Sequence, residues 1–366
     1  MAILLQGLFL FLSLFYFIVI LLIIYALGRL QYRTPRIHHS ISVVIAARNE
    51  EQRIIPTLES LQRLTYPREF YEIIFVDDAS SDGTASLIAS YCDRNPHWKL
   101  LTLNEKSHQL RGKKRALKEA ISQAKNEIIC TTDADCQVPE KWLETISAYF
   151  DEQTVMVLGH SPLQPAKGFM HRILDFDNLF SALVSAASTK LGFALSSVGR
   201  NLAYRKSAYQ KVGGFEALKK FKSGDDVHLT ERMRTLKIGH IDYCAQPDSF
   251  VYTQAPPGIR DIFHQQIRKN SKTLQKSLPA VLFSIAMFGA FVLFISIPFL
   301  KPDWLKMWIT IIITKQVLEF YALTKAAYIF QKTSIIPFLP LYQIFYPFYI
   351  IFFNILGALQ IYEWKK

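Results

Sequence analysis

The stretch "EIICTTDADC", Glu127 to Cys136, decides how the rest of the chain is read. The apolar run Ile128, Ile129, Cys130 ends in two aspartates one residue apart, Asp133 and Asp135. A short apolar run of this kind predicts a buried strand. In extended backbone, residues two apart point to the same side. The pair could therefore hold one divalent cation, Mg2+ or Mn2+, ions that prefer oxygen ligands and often share them with substrate phosphates. A solvated turn whose aspartates cap a helix is the alternative.

Working outward, the same pattern recurs. Residues 41–47 ("ISVVIAA"), 72–76 ("EIIFV"), 98–103 and 127–131 read as strands. Helical patterns follow at 50–64, 84–93, 113–124 and 140–150. This alternation predicts βαβ units and an α/β fold with a largely parallel sheet. In such sheets, ligands bind just outside the carboxyl ends of the strands. Arg48-Asn49-Glu50, Asp77-Asp78 and the Asp133/Asp135 pair should therefore share one edge. "AARNEE" after the first strand holds no glycine, which argues against a dinucleotide oxidoreductase. Past a fifth apolar run at 155–160 the pattern loosens. Residues 168–195 form a long helical stretch, 197–215 a strand, a short helix and a turn. Ser223 and Gly224 then form a loop, and a helix opens at Asp225 and Asp226.

The 366-residue chain is half hydrophobic, with a formal net charge of +12. No charged residue precedes Arg29, and an apolar block of that length can span a bilayer. A cleaved signal peptide competes with that reading, but it lacks a basic start and exceeds the usual apolar length. Arg29, Arg33 and Arg36 follow the block. They predict a cytoplasmic location for what comes next, in an integral protein of the inner (plasma) membrane. Residues 1–30 are then an anchor, 31–255 the soluble domain and 256–277 a basic amphipathic interfacial helix. Residues 278–366 form a membrane region with two or three spans. The doubtful span is 307–330, which holds Lys315, Glu319 and Lys325 and could instead lie on the membrane surface. Three C-terminal spans would put Lys366 outside; two would put it inside. Cys92, Cys130, Cys136 and Cys244 show neither metal-ligand spacing nor a disulfide framework. The basic balance lacks a stripe with interleaved aromatics. Anionic membrane lipid is therefore the predicted partner, and nucleic acid is not.

The ordered set "SVVIAARNE", "VDDASSDGT", "GKKRAL", "TTDADC", "GRNLAYRK…VGGF" and "SGDD" resembles the membrane-bound family 2 glycosyltransferases, in their processive-synthase-like branch. The resemblance covers essentially the whole soluble part. It implies a GT-A fold, a nucleotide-diphosphate sugar donor (a UDP-sugar foremost), a divalent metal, a lipid-linked or glycan acceptor, and inversion at the transferred sugar. By position, Ala46, Arg48, Glu50, Asp77 and Asp78 would form the donor site. Asp78, with Asp77 beside it, would bind the nucleoside, and Lys113 the diphosphate. Asp133 and Asp135 would hold the metal, Asp133 also serving the donor. Asp226 would be the catalytic base.

One motif departs from the family. Processive members usually carry Gln-x-x-Arg-Trp, and here Gln265 and Arg268 are followed by Lys269. Gln265 and Arg268 remain candidate donor or acceptor contacts, while the missing indole puts long-chain synthesis in doubt. The competing class is an inactive scaffold or sugar-nucleotide sensor of the same fold. The four intact aspartates, Asp78, Asp133, Asp135 and Asp226, argue against it.

Overall fold

The computed structural model describes residues 2–35, 37–104, 110, 112–166, 168–221, 224–256, 258–271 and 278–359. Arg36, Ser223, Lys366 and part of the predicted interfacial segment, 272–277, lie outside the described residues. The chain divides into two compact units. One is Arg29–Gln254; the other joins Met1–Gly28 to Ala255–Lys366.

The first unit is built on a sheet whose central strands are buried on both faces, which is why they read as unbroken apolar runs. Strands β1 (Ile41–Ala47), β2 (Tyr71–Asp77), β3 (Trp98–Thr102) and β4 (Ile128–Asp133) run parallel. After the two-residue β5 (Cys136–Gln137) come β6 (Thr154–Gly159), β7 (Leu202–Arg205) and β8 (His240–Cys244). The main sheet has the order β3-β2-β1-β4-β7-β6-β8. Strand β7 runs antiparallel to both β4 and β6. A small second sheet pairs β5 with β9 (Tyr252–Thr253).

The crossover helices of the parallel half are α2 (Ile55–Gln62), α3 (Thr84–Cys92) and α4 (Lys113–Gln123), and α5 (Trp142–Ser147) follows β5. Helix α2 starts at Ile55 rather than at Glu50. Pro56 sits in its first turn, where the missing N–H costs nothing, while the amides of Arg53 and Ile54 close a turn on the Glu50 carbonyl. The core between sheet and helices includes Ile41, Val43, Ile45, Leu58, Phe75, Ile88 and Trp142. Beyond the parallel half lie α6 (Phe169–Lys190), α7 (Lys206–Lys211) and α8 (Asp225–Thr235).

Strand β8 gave no sequence signal, because it carries a charge. Asp242 is fully buried there. Its carboxylate meets Arg33 at 2.8 Å and Lys190 at 2.5 Å, and accepts the Tyr243 amide at 2.8 Å. A buried carboxylate is tolerated only when paired in this way.

The second unit is helical. It comprises α1 (Ala2–Gly28), α9 (Ile259–Asn270), α10 (Leu278–Leu300), α11 (Leu305–Ile329) and α12 (Leu339–Ala358). Helix α1 packs on α10 and α11, and α12 packs on α9 and α11. Among the described residues, three segments are long and apolar enough to cross a membrane: Ala2–Gly28, Val281–Leu300 and Thr333–Ala358. Helix α11 turns Lys315 and Glu319 into the bundle. Lys315 is buried and pairs with Glu319 at 2.8 Å, and Glu319 also accepts from the Tyr16 hydroxyl and from Gln343 at 3.2 Å. Helix α9 buries Ile262, Gln266 and Ile267, while Phe263 meets Phe352 and Phe353 of α12 edge-on.

Candidate active site

The register of β1 assembles the site. Ala46 stands between Val76 of β2 and Asp133 of β4, and Ala47 is paired with Asp77. The three strand-end clusters predicted from sequence therefore do share one sheet edge.

On the β2 side, Asp77 and Asp78 are both buried. Asp78 forms a 2.5 Å ion pair with Arg115, whose other terminal nitrogen donates to the Asn104 carbonyl at 3.1 Å. Asp77 accepts the Ser80 amide at 3.2 Å through Oδ2; its Oδ1 is buried without a hydrogen-bond partner among the described residues. The loops after β1 and β2 are laced together. Asn49 Oδ1 accepts the Ser81 amide at 2.9 Å, and the amides of Asn49 and Glu50 donate to the hydroxyls of Ser80 (3.0 Å) and Thr84 (2.8 Å). Asn49 and Ala79 adopt positive φ at the two loop bends. Arg48 is exposed and Ala46 half-buried.

On the β4 side, one ligand atom each from Asp133, Asp135 and Cys136 lies within 4.8 Å of the others. Burial pushes the Cys136 thiol well above its ordinary range, and Asp133 and Asp135 push it further. A sulfur donor is also soft, and ill matched to a hard cation such as Mg2+ or Mn2+. What remains is a pair of carboxylates, a donor set that fits a hard cation sharing its shell with phosphate oxygens. Glu50 completes this corner. Burial raises its carboxyl; Arg53, 2.7 Å away, opposes the rise, and Asp135 and Asp133 add to it. Arg53 also lies 3.9 Å from Asp135.

Lys113 opens α4 and makes an ion pair with Asp133. Burial pulls its ammonium down, but Asp133, then Asp226 and Asp225, outweigh that pull and hold it above its usual value. It is charged at neutral pH, and its electrostatics tie the β4 edge to the head of α8. There Gly224, at φ +84°, makes the left-handed bend that presents Asp225 and Asp226. Asp226 Oδ2 accepts the Gly199 amide at 2.7 Å. Burial raises the Asp225 carboxyl, and Lys114, 3.4 Å away, opposes the rise. Lys114 also donates to the carbonyls of Leu218 (3.3 Å) and Phe221. Neighbouring lysines thus serve different parts of the edge.

Of the residues predicted from sequence, Ala46, Arg48, Glu50, Asp77, Asp78, Lys113, Asp133, Asp135 and Asp226 all belong to the first unit, and the contacts above link most of them. Gln265 and Arg268 belong to the other unit, both exposed on α9. Sequence reasoning missed Arg53, Lys114, Arg115 and Gly199. The run of three cations in "GKKRAL" hinted at two of them; nothing local marks Gly199.

Two family models match: "Glycosyl transferase family 2" over residues 42–213 and "Glycosyl transferase family group 2" over residues 128–362. "Probable glycosyltransferase YdaM" of Bacillus subtilis (strain 168) is 28% identical over 235 residues, 62% of this chain and 54% of that protein. "Poly-beta-1,6-N-acetyl-D-glucosamine synthase" of Staphylococcus epidermidis is 37% identical over 235 residues, 62% of this chain and 53% of that protein. The chain thus spans about half the length of these curated relatives. Among solved structures, "Mannosyltransferase PcManGT from Pyrobaculum calidifontis in complex with GDP-Man and Mn2+" superposes with a TM-score of 0.60 at 20% identity. The superposition covers 97% of this chain and 98% of that one, a likeness of fold that agrees with the GT-A arrangement. The group 2 model alone accounts for more than half of the sequence, through the second half of the sheet and the helices that follow. The chain accordingly belongs to glycosyl transferase family group 2.

Proposed function

We propose that this glycosyltransferase moves a sugar, with inversion, from a nucleoside-diphosphate sugar to a membrane-associated lipid or glycan acceptor, and that it needs Mg2+ or Mn2+. The observation that carries the reading is that Asp77/Asp78 and Asp133/Asp135 end strands at one sheet edge, where Lys113 pairs with Asp133 and the Gly199 turn, bonded to Thr131 of β4, holds Asp226. Asp77 and Asp78 receive the nucleoside. Lys113 faces the diphosphate. Asp133 and Asp135 would hold the metal, which would supply stabilisation of the charge that builds on the departing nucleoside diphosphate. Asp226 accepts the acceptor's hydroxyl proton as the new sugar–oxygen bond forms and the sugar–phosphate bond breaks. Glu50 and Arg53 flank the metal pair.

The test is release of nucleoside diphosphate by the purified full chain, with UDP-sugars as the first donors. Release should require Mn2+ or Mg2+ and stop when the ion is chelated. Release that continues under chelation removes the metal from the proposal. No release from any nucleotide-sugar would instead favour a scaffold or sensor of the same fold.

The same reading places the first unit in the cytoplasm, at the inner (plasma) membrane, where sugar nucleotides are available. It rests on Arg29 and Arg33 following the N-terminal apolar helix. A reporter active only in the cytoplasm should work when fused near Asn104 or Lys219. Activity of an export-dependent reporter at those points reverses the orientation. Helix α11 joins the three apolar segments as a further span, because its Lys315 and Glu319 satisfy each other inside the bundle.

A further inference from the structure

The turn before β7 carries a side chain that no step above uses. Because β7 runs antiparallel to its neighbours, its beginning lies at the carboxyl edge: Leu202 pairs with Thr131 of β4 and with Leu158 of β6. Gly199, Arg200 and Asn201 form this turn. Gly199 donates its amide to Asp226, and its carbonyl accepts the Thr131 hydroxyl at 2.6 Å. Asn201 is buried. It accepts from the Trp142 indole at 3.1 Å and donates to the carbonyls of His160 (2.6 Å) and Ser249 (2.7 Å). The backbone on both sides of Arg200 is therefore fixed.

The Arg200 side chain is fixed at its base too. Its Nε donates to Ser161 Oγ at 2.6 Å, and the Ser161 hydroxyl in turn donates to the Val251 carbonyl at 2.6 Å. That bond uses one of the guanidinium's five donors. The terminal Nη groups have no protein partner among the described residues. The result is a half-buried arginine fork, aimed by its neighbours, on the turn that steadies Asp226.

We propose that Arg200 is an acceptor-binding residue and that the acceptor carries a phosphate group near the attacked oxygen. This deepens the transfer reading and rests on it. The nucleoside and diphosphate contacts lie toward β2 and α4, whereas Arg200 sits on the opposite side of β4, next to the base. An arginine fork matches phosphate oxygens two at a time. An anionic acceptor would otherwise meet Asp133, Asp135, Asp225 and Asp226 and be repelled. A fixed cation at this point offsets that repulsion, whereas a neutral acceptor gains little from it. A chain with apolar helices of bilayer-spanning length is suited to a lipid bearing such a group.

The test uses the purified full chain in detergent with Mn2+ and a nucleotide-sugar that it hydrolyses slowly without acceptor. Dodecyl phosphate should suppress this hydrolysis, and raising the nucleotide-sugar should not relieve the suppression. In Arg200→Gln the inhibition constant should rise tenfold or more while donor KM stays within about twofold. Arg200→Lys, which keeps the charge and loses the fork, should fall between. Dodecanol should not inhibit any of the three. The proposal is overturned if donor relieves the inhibition, which would put Arg200 on the donor phosphates. It is overturned equally if Arg200→Gln is inhibited like wild type, if dodecyl phosphate does not inhibit wild type, or if glucuronate inhibits as well as the alkyl phosphate. Absence of any hydrolysis by wild type would instead overturn the transfer reading, and this inference with it.

Discussion

Replacing Asp226 with asparagine should slow sugar transfer by about 10²–10⁴-fold, the usual worth of a positioned general base, while nucleotide-sugar binding stays close to wild type. The substitution keeps size and shape. The asparagine Oδ1 can still accept the Gly199 amide that now bonds the aspartate at 2.7 Å. The head of α8 therefore keeps its place and only the basicity is lost. Asp225 remains beside it, but that carboxyl is committed to Lys114 and to a buried environment, so it is a poor substitute. Equilibrium binding of labelled nucleotide-sugar, set against single-turnover transfer, separates the two effects. An equal loss of binding and transfer would make Asp226 a binding or structural residue.

Asp135→Asn should also be severe, for a different reason. A metal at the departing diphosphate supplies several kcal/mol of charge stabilisation, and each ~1.4 kcal/mol is a factor of ten in rate. If Asp135 is one of two carboxylate ligands, as proposed, its loss should lower transfer by about 10²–10³-fold at modest Mn2+, with partial recovery as Mn2+ is raised. Folding should survive. The Asp135 side chain is about one-third exposed, and its nearest cation, Arg53, is 3.9 Å away and already paired with Glu50. A thermal melt and a Mn2+ titration of nucleotide binding check both halves. Wild-type activity in this variant with the ion chelated would remove Asp135 from the metal site.

What the sequence made legible follows from burial. Strands β1, β2 and β4 are covered on both faces, so their apolar runs stand out, and the carboxylates that end them stand out against those runs. The two aspartates of "TTDADC" could be paired on paper because their spacing is local. Partners distant in sequence could not be. Nothing near Asp78 announces Arg115, and nothing near Asp226 announces Gly199; only the folded sheet brings them together. Strand β8 was hidden by Asp242, whose buried charge is balanced by Arg33 and Lys190 from far along the chain. Strands β5 and β9, two residues each, are too short to show a period.

The lacing of the loops after β1 and β2 bears on the entropy of binding. Side chains and amides of Asn49, Glu50 and Glu51 bond to Ser80, Ser81, Asp82, Gly83 and Thr84 across the gap between the strands, and Asp77 and Asp82 accept amides within the second loop. Their rotamers and backbone angles are set when the protein folds. Ordering a rotamer-rich side chain at the moment of association costs roughly 0.5–1.5 kcal/mol each. On the proposed donor reading, a nucleoside arriving at this platform meets groups whose freedom is already gone, so more of the contact energy is left as affinity. Conversely, a substitution that unlaces one loop, such as Asn49→Gly, would shift that ordering cost from folding to binding, weakening the complex without removing any atom that touches the ligand.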